Sequence, residues 1–192
     1  GVSMDSANSL LNLVDTLLDI AKMEKPGFMV LKPEIVPLRG VIDTASRHLS
    51  SFMDDAQISL DVVLPEDLPS VNIDQDLILR VVRNLLDNAI RYAPTGGKVQ
   101  ISAEPHDNEH VMVRVADNGR GIPPAEVERI FDKYRQIKDN IPVHGGKSTG
   151  IGLTFCKQAV EAHHGKIWVD NAGPLPGACF YFTLPTNPQE FN

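Results

Sequence analysis

Apolar residues recur at helical spacing through the first 25 positions. Leu10, Leu13, Val14, Leu17, Leu18 and Ala21 form one stripe, and Asp5, Asn12, Asp15, Asp19 and Lys22 lie off it. The spacing predicts an amphipathic helix over residues 1–25, ended by Pro26-Gly27. A helix this apolar is not stable alone in water. Its stripe must be covered, and a second copy is a better cover than its own domain, because the next element starts only after the break. Phe28 to Ile35 reads as extended. Pro37 then opens a helix that buries Leu38, Val41, Ile42, Ala45, Leu49, Phe52 and Met53 on one face.

Ile58 to Leu64 alternates as a half-buried strand does, and Val71 to Ile73 is a short strand. Asp74 is placed to cap a helix carrying Leu77, Val81, Leu85, Leu86 and Ala89, which Pro94 stops. Thr95-Gly96-Gly97 is a turn. Val99 to Ala103 and Val111 to Val115 alternate and read as a hairpin. A Gly/Pro-rich loop follows from Asp117 to Pro124, then a short helix from Ala125 to Phe131. Residues 133–149 show no period and are polar, a length usually reserved for a functional loop. Ile151 to Ala162 is a helix ended by Gly165. Ile167 to Val169 and Cys179 to Leu184 are the last strands, and residues 186–192 are a frayed tail. The sum is an α+β chain: an α/β sandwich with a mixed, mostly antiparallel sheet on helices, preceded by one long helix.

Composition narrows the function. The net charge of -7 argues against non-specific nucleic-acid binding. No run of about 18 apolar residues is present to span a membrane, and no signal peptide opens the chain. Two cysteines, Cys156 and Cys179, are too few for a disulfide framework. The expected setting is reducing and cytoplasmic; a longer parent chain could still carry a membrane anchor.

Two glycine clusters invite a phosphate reading. Gly146-Lys147-Ser148 resembles the end of a P-loop, but Ile141 stands where its first glycine belongs. Gly119-Arg120-Gly121 starts like a dinucleotide fingerprint, but Pro124 stands where the third glycine belongs. What survives is more specific. Asp117 follows an apolar strand and precedes two glycines, so its carboxylate can face a flat ligand edge. Gly150 and Gly152 open a helix, where a phosphate can approach exposed N–H groups. Asn84 and Asn88 share a helix face, and a carboxamide oxygen suits Mg²⁺. Singly, each cluster has a bland alternative: core amides, a hairpin turn, helix-packing glycines.

In order, these segments resemble the boxes of histidine kinases. Asn84 to Tyr92 is similar to the N box, Asp117 to Gly121 to the G1 box, Ile130 to Tyr134 to the F box and Gly146 to Leu153 to the G2 box. The resemblance implies a catalytic ATP-binding domain of the Bergerat (GHKL) fold over residues 27–185. Residues 1–26 would be the second helix of a dimerisation and phosphotransfer hairpin. It implies ATP, ADP as product, and Mg²⁺. Asn88 would ligate the metal, with Asn84 beside it. Arg91 would touch phosphate and Tyr92 would pack on adenine. Asp117 would accept from the adenine amino group, within a water network that includes Thr183. Gly119, Gly121 and Ile122 would shape that pocket. Phe131, Lys133 and Tyr134 would flank a lid over residues 133–149. Gly146, Lys147, Ser148, Thr149, Gly150, Ile151, Gly152 and Leu153 would wrap the triphosphate.

Asn84 stands where related ATPases of this fold carry a water-activating glutamate. An amide cannot take that proton, so transfer to a protein nucleophile is expected over hydrolysis, with Asp87 a candidate base. The six histidines, His48, His106, His110, His144, His163 and His164, include none before residue 48 and none followed by an acid. The acceptor histidine is therefore expected upstream, on the first hairpin helix of the same protein, with a response-regulator receiver domain as onward partner and a homodimer as the assembly. His163 and His164 are expected to favour a helix C-terminus by charge. Two other readings stand beside this one: a nucleotide-gated interaction module without useful transfer, and a serine kinase of the anti-sigma type.

Overall fold

The computed structural model describes residues 31–137, 141–145 and 150–186. The helix expected over residues 1–25, its self-association and the tail from residue 187 lie outside the described residues. Five strands form one sheet: β2 (Ser59–Val63), β4 (Lys98–Pro105), β5 (His110–Asp117), β7 (Cys179–Pro185) and β6 (Ile167–Asp170), in that spatial order. β2 runs parallel to β4, and the other pairs are antiparallel. A separate antiparallel pair joins β1 (Glu34–Val36) to β3 (Val71–Ile73). Helices α1 (Leu38–His48), α2 (Ser50–Ala56), α3 (Gln75–Tyr92) and α4 (Gly152–Ala162) complete the described elements. This is the expected α+β sandwich with a mixed, mostly antiparallel sheet.

Alternation decides which side of the sheet is covered. Val111, Val113 and Val115 of β5 are buried, opposite Leu184, Phe182 and Phe180 of β7. Ile101 and Ala103 of β4 extend the same inner rows. Against this face lies α3, whose Ile78, Val81, Val82, Leu85, Leu86, Ala89 and Ile90 are all buried. Each large side chain so buried favours folding by about 1.5–3 kcal/mol.

Three elements depart from the expected reading. The helix from Pro37 is broken at Leu49 into α1 and α2. Serine hydroxyls explain the break: Ser46 donates to the Ile42 carbonyl at 2.8 Å and Ser50 to that of Arg47 at 2.9 Å, competing with the helical ladder. The apolar face still continues across it, with Leu49 buried and Phe52 and Met53 packed on the core. β2 is more exposed than a half-buried strand, because it is an edge with one neighbour; only Leu60 leans on the core. The helix expected over Ala125 to Phe131 is a single 3-10 turn, Pro124–Glu126, followed by further turns. Glu126 N–H bonds the Pro123 carbonyl and Arg129 N–H that of Glu126, while the Glu126 carboxylate is drawn away to Arg135.

Helix α3 starts as expected: Asp74 Oδ1 accepts from Leu77 N–H at 3.2 Å. Its start is also bonded from outside. Asp74 N–H donates to His163 Nε2 at 2.9 Å, and His163 Nδ1 meets the Ala159 carbonyl at 2.7 Å. One nitrogen accepts and the other donates, so this fully buried ring is neutral. That corrects its expected role as a positive charge at the helix end. Burial holds its pKa below 6.5, against the pull of the Ala159 carbonyl and the Asp74 charge, while the neighbouring His164 adds to the lowering.

The consequence is an acid-sensitive joint. The unfolded chain binds this proton near pH 6.5 and the folded chain only at lower pH, so stability is lost as pH falls below about 6.5. Denaturant titrations from pH 7.5 down to pH 5 should show a steeper loss for the native protein than for His163→Gln. Equal slopes would count against the buried neutral ring.

Candidate functional site

β5 ends on Asp117, the next inward position after Val111, Val113 and Val115, so its carboxylate faces the helix layer. It is 3% exposed. Its backbone is fixed on both sides: Asp117 N–H donates to the Ala178 carbonyl and Gly177 N–H to the Asp117 carbonyl, both at 3.0 Å. Oδ1 accepts from Gly119 N–H at 2.8 Å and Ala178 N–H at 3.4 Å. Desolvation outweighs these two bonds and pushes the carboxyl up to about 6. A carboxylate so placed gains from any ligand that brings a donor.

The loops around it leave no room for side chains. A Cβ on Gly119 would strike the Tyr92 carbonyl oxygen and come within 2.8 Å of Asp117 Oδ1. A Cβ on Gly177 would strike Asp117 Oδ1 as well. Gly121 adopts φ +71° under Asn171, whose carboxamide accepts from Ile122 N–H at 2.9 Å and donates to the Ile122 carbonyl at 2.8 Å. Asn118 Oδ1 accepts from Lys98 N–H at 2.8 Å, tying the loop to β4. Asn118, Asn171, Gly177 and Ala178 were not legible as site residues. Their signals, a polar residue in a turn and a glycine before a strand, are common to many loops.

Thr183 is not part of this pocket. It pairs with Met112 on the outward row of β7, five residues along the register from the Asp117 end. Its hydroxyl accepts from Lys166 N–H at 2.9 Å. The residue of β7's entry that does lie beside Asp117 is Ala178.

The other end of the cleft is built from α3 and α4. Asn84 lies against Gly152: a Cβ there would sit 3.7 Å from the Asn84 amide carbon. α4 begins at Gly152, after Ile151 at the N-cap position, with no acidic residue in its first turn. Among the described residues no side chain caps its first N–H groups, and such a helix start suits an anion. Asn88, half-buried, is one turn along α3 from Asn84. Ile122 and Ile151 are buried and Leu153 packs on the core, so these three shape the walls.

Asp87 and Arg91 hold each other. Arg91 Nε is 2.6 Å from Asp87 Oδ2 and its Nη2 is 3.2 Å from Oδ1. The guanidinium lies 5.4 Å from the Phe52 ring, and the Arg91 carbonyl accepts from Val143 N–H at 2.8 Å and His144 N–H at 3.1 Å. Phe131 packs edge-on against Phe180, and its carbonyl accepts from Thr154 Oγ1 at 3.1 Å. Tyr134 N–H donates to the Gly150 carbonyl at 3.0 Å, both residues having positive φ. Arg135 forks onto Glu126 at 2.8 and 2.6 Å beside this junction. Lys133 is exposed. Gly146, Lys147, Ser148 and Thr149 lie outside the described residues.

Residues 73–188 match the family model described as histidine kinase-, DNA gyrase B-, and HSP90-like ATPase. The chain belongs to this family. It is 43% identical over 122 residues to the adaptive-response sensory kinase SasA of Rippkaea orientalis, covering 64% of this chain and 30% of that protein. The mycobacterial sensor histidine kinase MprB superposes with a TM-score of 0.69 at 28% identity, covering 81% of this chain and all of that one. Histidine kinase ThkA, in a complex with the response regulator TrrA, superposes with a TM-score of 0.74 at 26% identity, covering 96% of this chain and 50% of that one. The chain spans less than half the length of the curated relatives it matches. It is an ATP-binding domain of the sensor histidine kinase type.

The residues fit an adenine nucleotide for reasons internal to the structure. A buried carboxylate with an elevated pKa would receive the exocyclic amine, and the uncapped start of α4 would receive phosphate. Among the described residues no three His, Cys, Asp or Glu side chains gather as a metal cage. A Mg²⁺ ion would be held by Asn88 together with the phosphates.

Gly119→Ala should disrupt the pocket without a polar change, since its Cβ meets backbone that cannot rotate away. Nucleotide affinity should fall at least several-fold while circular dichroism stays native. Unaltered affinity would contradict this close packing.

Proposed function

We propose that this chain is the catalytic ATP- and Mg²⁺-binding part of a two-component sensor histidine kinase. It donates the terminal phosphoryl group of ATP to a histidine on a hairpin helix of the same protein, for relay to a response-regulator aspartate. The setting is cytoplasmic and the working assembly a homodimer. The observation that carries the reading is Asp117, a carboxylate 3% exposed at a strand end, held by backbone N–H groups on one oxygen.

Each residue has a physical task. Asp117 selects adenine by accepting from its amino group in a dry site. Tyr92 and Gly119 close the base end. Asn84 and the first turn of α4 orient phosphate, and Asn88 would hold the metal, which when bound would offset negative charge on the phosphates. Catalysis then rests on positioning and electrostatics. Asn84 cannot deprotonate water, so hydrolysis stays slow and the phosphoryl group is kept for the histidine. The response-regulator complex of ThkA supports the partner class.

One observation favours the alternative of a nucleotide-gated interaction module. Asp87 and Arg91 are bound to each other, which engages both a candidate base and a candidate phosphate contact. Supplying a hairpin that bears an acceptor histidine, with labelled ATP, separates the two readings. Label on the histidine supports the kinase; tight nucleotide binding with no label supports the module.

Calorimetry with ADP and an imido analogue of ATP, with and without Mg²⁺, tests the site itself. Asp117→Asn should weaken both nucleotides roughly tenfold or more, because an acceptor in a dry pocket is lost to the ligand's donor. The same substitution should stabilise the unliganded fold, since it removes a buried charge whose pKa shift corresponds to about 3 kcal/mol at neutral pH. Affinity of the native protein should hold above pH 6 and fall as the carboxyl protonates below it. Flat affinity from pH 7.5 to pH 5 would remove Asp117 from the base site.

A further inference from the structure

Helix α3 lays out the cleft in sequence order. At its C-terminal end the Tyr92 carbonyl meets Gly119, beside Asp117. Eight residues back, Asn84 meets Gly152 at the start of α4. One further turn back, about 6 Å along the axis, stands Arg80. Residues 80, 84, 87, 88 and 91 fall within an arc of about 100° of the helix, at the half-exposed margin of its buried stripe.

Arg80 is held in place. Its guanidinium carbon lies 4.5 Å from the centroid of the Phe155 ring, and Phe155 is fully buried in the first turns of α4. The two helices also meet between Arg80 and Asn84, where the Cys156 thiol of α4 donates to the Val81 carbonyl of α3 at 3.8 Å. Asn84, Gly152, Phe155 and Arg80 thus form one seam between the two helices. A guanidinium packed on a buried ring is restrained in position, and guanidinium N–H groups suit phosphate oxygens.

We propose that Arg80 is a further nucleotide-contacting residue, engaging the terminal phosphate of a nucleoside triphosphate and leaving a diphosphate untouched. The inference rests on the reading of the cleft as an ATP site. The order along α3 supplies the direction: base at the Tyr92 end, inner phosphates at Asn88 and Asn84, terminal phosphate at Arg80. Such a residue makes the domain prefer substrate over product, so that ADP leaves after transfer.

The test is the ratio of affinities for the imido ATP analogue and ADP, by calorimetry with Mg²⁺. Arg80→Gln should lower analogue affinity about tenfold while ADP affinity stays within about twofold, as expected for loss of a charge-assisted hydrogen bond. Arg80→Lys, which keeps the charge on a slimmer head, should retain most of the preference. An Arg80→Gln ratio equal to that of the native protein overturns the proposal. Equal loss for both nucleotides also overturns it, leaving Arg80 a packing residue on Phe155. A native protein that binds neither nucleotide overturns the ATP site and this proposal together, whereas normal ADP binding with an unchanged ratio overturns only the proposal.

Discussion

Helix α3 has to face two ways, and the molecule is arranged around that requirement. One side carries seven buried apolar residues against the sheet and the neighbouring helices. The margin of the same helix carries Arg80, Asn84, Asp87, Asn88 and Arg91. A rotation of the helix by one residue would drive amides into the core and isoleucines into the cleft. The apolar packing therefore fixes the azimuth of every polar group on that margin. The two ends fix its height: His163 grips the Asp74 N–H at the start, and Gly119 abuts the Tyr92 carbonyl at the finish.

Two buried titratable groups stand at opposite ends of this frame and are handled differently. His163 is satisfied within the protein, with both ring nitrogens bonded. Asp117 is only half satisfied, because both N–H donors go to one oxygen. A buried histidine with both partners is a fastener. A buried carboxylate waiting for a donor is unstable by itself and stabilised by its ligand, which is how a fold stores affinity in a site. The same contrast separates the two glycine settings: Gly119 and Gly177 exist to let backbone reach Asp117, whereas Gly150 exists to let the chain turn.

The sheet, the long helix and the last helix were legible because their periods are long and clean. Ile78 to Ile90 repeats at helical spacing, and Val111 to Val115 alternates without interruption. The misreadings arose where local hydrogen bonds outweigh period. Ser46 and Ser50 break a continuous apolar face into two helices, and Pro123-Pro124 with the Glu126–Arg135 fork turns a helical pattern into a 3-10 turn. In the candidate site, Asp117 and the paired asparagines stand out in the sequence because their placement in otherwise apolar runs is unusual. Thr183 was misplaced because motif order carries no strand register: one residue along β7 changes the face, and five carry it to the far end. Ala178 and Asn171 were invisible for the complementary reason, being ordinary residues whose neighbours come from distant segments.

The bond from Tyr134 to Gly150, flanked by the Arg135–Glu126 fork, joins the two feet of the loop that separates the last turn from α4. Between those feet the chain also touches α3, where Val143 and His144 N–H donate to the Arg91 carbonyl. The entropy of closing such a loop grows only logarithmically, about 0.6 kcal/mol for each doubling of its length. Insertions or deletions that spare the Val143 and His144 contacts leave the strands, the helix margin and Asp117 where they are. The domain is thus divided into a part whose spacing is rigidly prescribed and a part whose length can drift, and divergence among proteins sharing this frame is expected to collect in the second.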